Sequence, residues 1–587
     1  MARFSVLGTL FLLASFCQAL VVKTSKGRIE GCVSLEAGSD KPVHVFEGIP
    51  YAQPPVESLR FWPPEEVVPW KGVLKATQNA PKCLGFKSEG NASEDCLYLS
   101  VFADQKCSDP KRRPCPVIIY IPDNPSFNKS QIIIQYASQE LVVVIPSFRR
   151  GIFGFLDLPD ADTRATNLGY LDLIQSLNWI HHEIPAFGGH PLLTTVMGNG
   201  YGASVVADLL ASPDVPKGAF KKAIVVDRKV PMTAEMARNL SLTIAQDARC
   251  VTQDRSLEEI LDCLRQVPAE RLVELQDMVM SRSPSYLGSK SDWIHFSGNK
   301  KPEESIKKLV LVVQTTKLAS GFLKTNPGEL CKKFCAVFGY KSLEARKECA
   351  RFYKNETGGY SGKYPLETEA LHALNYRDVV AWSSRGSLVN LAEVTDSSQA
   401  DPTEAQDLVL GQLPGMIRNF ARTGEPKNDW LPMDSSGSGY YTIDISPQPN
   451  SSGPRITRST SHFYPDHVHF WLSHLSSVEE SFADALSPFL SKSQPEIFAP
   501  ATYNKPMILT RESALESLRI QKEALVHMVW GTIFIALILT SLVLCLVIEK
   551  RLSNPDLRPV PQGLLERQNL LTFNAKTNPK LIFYGSV

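Results

Sequence analysis

Residues 528–548 form a run of 21 residues without a charge, and this run restricts the chain more than any other feature in it. As a helix it covers about 31 Å at about 1.5 Å per residue, the thickness of a bilayer's hydrocarbon core. An isolated segment in lipid must satisfy its own backbone groups, so a helix is the conformation open to it. Trp530 stands near one boundary, and Glu549, Lys550 and Arg551 follow the other. The basic pair suits the cytosolic side, although Arg519 and Lys522 on the opposite flank weaken that bias. A shorter apolar run, residues 6–16, lies behind Arg3 and ends at Cys17, Gln18 and Ala19. It is too short to span a bilayer and has a small residue at its end, so it reads as a signal peptide removed after about Ala19. Together the two runs predict a single-pass type I protein of the cell membrane, with its N-terminus outside. The expected parts are a signal at 1–19, a folded body at 20–475, a stalk at 476–525, a span at 526–548 and a cytoplasmic tail at 549–587.

That placement governs how the cysteines and asparagines are read. Ten cysteines lie between the two apolar runs, and an even count in an oxidising lumen favours disulfides over metal ligation. No Cys-x-x-Cys or His-x-x-x-His set with zinc spacing occurs, so no metal and no cofactor is expected. Glycosylation sequons occur at Asn91, Asn128, Asn239, Asn355 and Asn450. The 62 Lys and Arg residues nearly cancel the 61 Asp and Glu residues, which excludes the dense basic surface that nucleic-acid binding needs.

Residues 116–121 (PVIIYI) and 141–145 (LVVVI) are short β-branched runs, apolar on both faces, as central strands of a parallel sheet require. Residues 168–180 carry apolar side chains at helical spacing, with Pro185, Gly188 and Gly189 as a stop. Residues 193–197 form another strand candidate. It runs into Gly198-Asn199-Gly200-Tyr201-Gly202, and residues 203–211 then read as a helix. Strand, glycine-rich turn and helix in this order match a nucleophile elbow.

Further segments carry a resemblance. They are Phe46-Glu47-Gly48-Ile49-Pro50-Tyr51-Ala52 with Arg60, Phe61 and Trp70, and Ser93-Glu94-Asp95-Cys96-Leu97-Tyr98-Leu99. Gly151-Ile152-Phe153-Gly154-Phe155, Asn419-Phe420-Ala421-Arg422-Thr423-Gly424 and Phe470-Trp471 continue the set. The chain resembles the cholinesterase/type-B carboxylesterase family over about residues 20–475. The resemblance implies an α/β-hydrolase fold with a central, mostly parallel sheet, followed here by the transmembrane helix. It also implies disulfides Cys83 to Cys96 and Cys250 to Cys263, and ion pairs Arg60 with Glu94 and Arg149 with Asp172. Cys107 and Cys115 are near neighbours in the chain. The pairing of these two and of Cys32, Cys331, Cys335 and Cys349 stays open.

Ester hydrolysis on this fold needs a serine, a histidine, a carboxylate and oxyanion-binding N–H groups. The middle of the Gly-x-Ser-x-Gly elbow is Gly200, which has no hydroxyl. Ser204 lies one helical turn further on and is expected to point elsewhere. The oxyanion loop of relatives, His-Gly-Gly-Gly, is replaced by Pro122-Asp123-Asn124-Pro125; proline lacks an N–H and a carboxylate opposes an oxyanion. The acid position aligns with Ala319. Residues 373–461 contain no histidine, and His372 lies well upstream of the expected base position. His462, His467, His469 and His474 come too late in the chain.

The expectation is therefore a catalytically inactive family member. It resembles the cholinesterase-like adhesion proteins neuroligin, gliotactin and neurotactin, and would be a receptor or adhesion glycoprotein that binds an extracellular or membrane protein. The resemblance also implies homodimerisation. Three alternatives are a relocated hydrolase using Ser204, a non-cleaving binder of small molecules, and a trafficking partner. Glu566 to Leu571 resembles an acidic dileucine signal, and the final Tyr584-Gly585-Ser586-Val587 could meet a sorting adaptor or a scaffold domain.

Overall fold

The computed structural model describes residues 18–481 except 36–40, 86–89, 124–127, 159–165, 213, 230–231, 253–254, 283–306, 316–326, 354–365, 396–401, 434–437, 445–454 and 460–464. Among the expected features, Ala319, Asn355, Asn450, the span and the tail lie outside the described residues. Among the described residues no helix is long and apolar enough to cross a membrane.

The strands are β1 (Gln18–Lys23), β2 (Arg28–Ser34), β3 (Val43–Pro50), β4 (Val73–Lys75), β5 (Lys82–Cys83), β6 (Ala92–Ser93), β7 (Tyr98–Asp104), β8 (Cys115–Ile121), β9 (Val142–Pro146), β10 (Gly189–Asn199), β11 (Lys222–Val226), β12 (Leu309–Thr315), β13 (Leu388–Thr395), β14 (Tyr441–Asp444) and β15 (Arg455–Arg458). The helices are α1 (Lys129–Ile132), α2 (Gly151–Phe155), α3 (Leu168–Glu183), α4 (Tyr201–Ala211), α5 (Ala234–Asp247), α6 (Leu257–Gln266), α7 (Ala269–Arg282), α8 (Pro327–Phe338), α9 (Leu343–Phe352), α10 (Leu366–Ser384), α11 (Pro402–Thr423) and α12 (Pro465–His469).

One sheet runs β1-β2-β3-β7-β9-β8-β10-β11-β12-β13-β14-β15, with β4 beside β2. Its centre, from β9 to β14, is parallel. Its flanks, β1 to β9 and β14 to β15, are antiparallel. β5 and β6 form a separate two-stranded sheet. The apolar runs read from the sequence are the strands of the centre, and the structure shows why they do not alternate. Val117, Ile119 and Ile121 of β8 enter a core on one face of the sheet, while Ile118 and Tyr120 enter a core on the other. Both faces are covered by helices, so every position of the strand from Val117 to Ile121 is buried.

The Arg149 guanidinium donates to both Asp172 oxygens, at 2.8 and 2.6 Å, with neither side chain exposed beyond 3%. Arg60 binds Glu94 in the same two-pronged way, at 2.7 and 2.5 Å. It also donates to the carbonyls of Arg265 and Val267, which ties the turn after β3 to the end of α6. Both ion pairs follow the expectation from resemblance. So do the disulfides Cys83–Cys96 and Cys250–Cys263. The pairings left open by the sequence include Cys107–Cys115 and Cys331–Cys349. Cys335 keeps its thiol, and burial pushes it up to about 12.

The second of these disulfides joins α8 to α9 in a small helical module with its own core of Phe334, Tyr340, Tyr353, Phe470 and Trp471. The Tyr340 hydroxyl donates to the Trp471 carbonyl at 2.6 Å, and the Trp471 indole donates to the Tyr353 hydroxyl at 2.8 Å. The Phe470-Trp471 motif thus serves packing.

Candidate functional site

In open α/β sheets, sites form outside the carboxyl ends of the strands. There β10 ends at Asn199 and α4 begins at Tyr201, with Gly200 between them at φ 59° and ψ −116°. Glycine meets that positive φ without a Cβ penalty. The turn is tight because Gly202 lies against β8: a Cβ there would overlap the Ile121 carbonyl oxygen. This is the strand-to-helix elbow expected from the sequence.

Gly200 offers no side chain, and its side-chain space is taken. A Cβ built on Gly200 would overlap Oδ1 and Cγ of Asp123, just past the end of β8. Asp123 Oδ1 accepts the Tyr201 backbone N–H at 2.8 Å. In this kind of elbow the N–H of the residue after the nucleophile is one oxyanion donor. Sequence reasoning anticipated that Asp123 would oppose an oxyanion; the structure adds that its carboxylate binds the donor itself. Asn124 and Pro125 lie outside the described residues.

Asp123 Oδ2 pairs with Lys229 Nζ at 2.8 Å. Lys229 follows β11, its N–H donates to the Gly200 carbonyl at 3.2 Å, and its ammonium stands 4.6 Å from the Tyr201 ring centre. Ser204 is fully buried in α4 and its hydroxyl donates to the Lys229 carbonyl. That placement agrees with the expectation that Ser204 points away from the turn. Sequence reasoning missed Lys229; the signal available was a charged triplet, Asp227-Arg228-Lys229, directly after a buried strand.

Three carboxyl groups around this knot, Asp227, Glu367 and Asp208, are pushed toward the neutral form by burial. Burial pushes Asp227 up to about 6, against the Thr315 N–H that its Oδ1 accepts at 2.7 Å. Burial also raises Glu367 at the start of α10. One turn beyond Ser204 in α4, burial pushes Asp208 up to about 6, beside Arg228 and the Tyr170 hydroxyl.

Among the described residues the histidines lie elsewhere. His372 is buried in α10, and burial, with His467 nearby, pushes it down to about 3. His467 stands 3.1 Å from Glu369, and His474 stands 3.0 Å from Glu348, both within the helical module. In the chain order of nucleophile, acid and base, the base follows the acid. The segment after β12 contains Ala319, and residues 396–401, which follow β13, contain no histidine.

A cavity of about 520 Å³ opens from the elbow toward the loop closed by Cys83–Cys96. Asp123 and Tyr201 line one part of it, and Phe148, Arg150, Glu47 and Lys129 line others. Lys129 and Glu47 pair at 3.1 Å, and no histidine is among the described residues that line the cavity.

The family model described as the carboxylesterase family matches residues 18–337, more than half of the chain. The chain belongs to the carboxylesterase family. Its matches include the acetylcholinesterase of Leptinotarsa decemlineata, 31% identical over 293 residues, which are 43% of this chain and 46% of that protein. Carboxylesterase 1F of Mus musculus is 33% identical over 279 residues, 43% of this chain and 48% of that protein. The liver carboxylesterase of Sus scrofa is 33% identical over 283 residues, with the same shares. The chain spans about half the length of these curated carboxylesterase-family relatives. The matched region contains the elbow, the Arg60–Glu94 and Arg149–Asp172 pairs and three of the disulfides.

Proposed function

We propose that this carboxylesterase-family chain works by binding and not by hydrolysis. In this reading it is a single-pass type I receptor or adhesion glycoprotein whose body, residues 20–475, engages an extracellular or membrane protein. One observation carries the inactive part: the space for a nucleophile at Gly200 holds the Asp123 carboxylate, which also binds the Tyr201 N–H. An acyl enzyme needs a hydroxyl there and an open donor beside it. Four disulfides among the described residues support an oxidising compartment and hence a lumenal or extracellular body. The partner step rests on the membrane layout and the family resemblance. Homodimerisation and a tail that meets a sorting adaptor or scaffold belong to the same proposal.

The test treats the full chain with a fluorophosphonate probe and a generic ester, beside an active carboxylesterase. No labelling and no turnover are expected. Stoichiometric labelling, or turnover abolished by Ser204→Ala, overturns the reading in favour of relocated hydrolysis. Proximity labelling from the cell surface then identifies the partner.

The cavity of about 520 Å³ favours a second reading, a non-cleaving binder of small molecules. Tyr201 and Pro122 line that space, while Asn124 and Pro125 of the same loop lie outside the described residues. Its mixed lining of aromatic and charged side chains suits an amphipathic ligand.

A further inference from the structure

Asn91 and Lys129, two of the residues that line the cavity, connect it to two sequons. Asn91 starts the sequon Asn91-Ala92-Ser93, and Lys129 is the middle residue of Asn128-Lys129-Ser130. Asn91 is exposed and sits at φ 53°, a left-handed position that asparagine tolerates well. Its carbonyl accepts the Lys82 N–H at 3.1 Å, and the Cys83–Cys96 bridge closes the same loop, so the backbone beneath the side chain is held. Asn128 is exposed too. Its Oδ1 caps α1 by accepting the Gln131 N–H at 3.1 Å, which leaves Nδ2 available for a substituent.

We propose that N-linked glycosylation of Asn91, reinforced at Asn128, covers the mouth of the cavity, so that the cavity admits small ligands and excludes polypeptides. The modification takes its sugar from a diphosphate-linked oligosaccharide in the secretory lumen. The Asn91 Nδ2 forms a bond to the anomeric carbon, the bond from that carbon to the diphosphate oxygen breaks, and the amide proton is lost to solvent. A branched glycan is bulky and strongly hydrated, and its attachment point here is part of the cavity wall. Any protein partner then docks away from the elbow. The inference rests on the lumenal reading of residues 20–475 and is independent of whether the elbow hydrolyses esters.

The experiment uses the full chain on intact cells and two amine-reactive reagents, a small acetylating ester and the same ester carried on a long polyethylene glycol. Lys129 is the reporter: it lines the cavity and its side chain is 36% exposed. Glycopeptide mass spectrometry is expected to find Asn91 occupied. The small reagent modifies Lys129 to the same extent with and without the glycan. The polymer reagent modifies it several-fold more after enzymatic deglycosylation of the folded protein, and also in a Ser93→Ala, Ser130→Ala variant that never receives the two glycans. The enzyme arm keeps the test valid if the variant fails to fold. An unoccupied Asn91, or polymer labelling of Lys129 at one rate with and without the glycan, overturns the proposal.

Discussion

The Asp123 carboxylate accepts the backbone N–H of Tyr201 at 2.8 Å, across the space where a side chain on Gly200 would stand. One residue therefore fills the nucleophile's volume and saturates the donor beside it. In the proposed non-hydrolytic reading, placing a hydroxyl at position 200 is then not enough to give a reaction. Gly200→Ser puts a Cβ into Asp123 at a positive φ, and either the loop after β8 or the elbow must move. The expected result is a loss of about 1–3 kcal/mol in stability and no esterase activity, read by denaturant titration and ester turnover. Appreciable turnover by this single variant would contradict the arrangement.

Asp123→Ala tests the other half of the same contact. It leaves the Tyr201 N–H and the Lys229 ammonium without their shared acceptor. The Lys229 side chain is about a third exposed, so water recovers part of the loss there, whereas Tyr201 is buried, and a cost of about 1–2 kcal/mol is expected. Asp123→Asn keeps an acceptor for the N–H and should recover roughly half of it. Thermal melts of the two variants side by side decide this.

The Arg149–Asp172 pair is closed off from water, and breaking it strands a charge. Arg149→Ala is expected to cost about 3–5 kcal/mol, whereas a solvent-exposed pair such as Lys347–Glu344 costs about 0–1 kcal/mol when broken. Denaturant midpoints of Arg149→Ala and Lys347→Ala give the contrast directly.

His372 makes stability depend on pH in a known direction. Its folded value of about 3 lies below the ordinary 6.5, so the unfolded chain binds the extra proton between those values. Stability from this site is therefore complete above about pH 6.5 and is lost progressively as pH falls toward about 3. His372→Gln removes the titration, and its stability curve should be flatter across that window than that of the unmodified chain. Denaturant midpoints between pH 4 and pH 7 provide the measurement; parallel curves would show that His372 does not titrate as stated.

Much of the body was legible from local pattern. The runs at 116–121 and 141–145 could be read as central strands because burial on both faces leaves no polar alternation. The elbow could be read because closely spaced glycines between a strand and a helix mark a backbone that must turn sharply and pack closely. Cys331–Cys349 was not legible, because six cysteines allowed many pairings and only the packing of α8 on α9 chooses one. Lys229 was not legible either, since its partner lies 106 residues earlier in the chain.

The sequence alone determined that position 200 has no hydroxyl, because that is a matter of covalent composition and no fold can alter it. It also determined the strands and the turn, which depend on neighbours within a few residues. Only the tertiary structure decided what stands in the vacated space. The loop after β8 and the elbow after β10 meet because those strands lie side by side in the sheet, and this adjacency delivers the Asp123 carboxylate to the Tyr201 N–H. A hydrogen bond between residues far apart in the chain has no local signature, so it can be seen only once the sheet order is known.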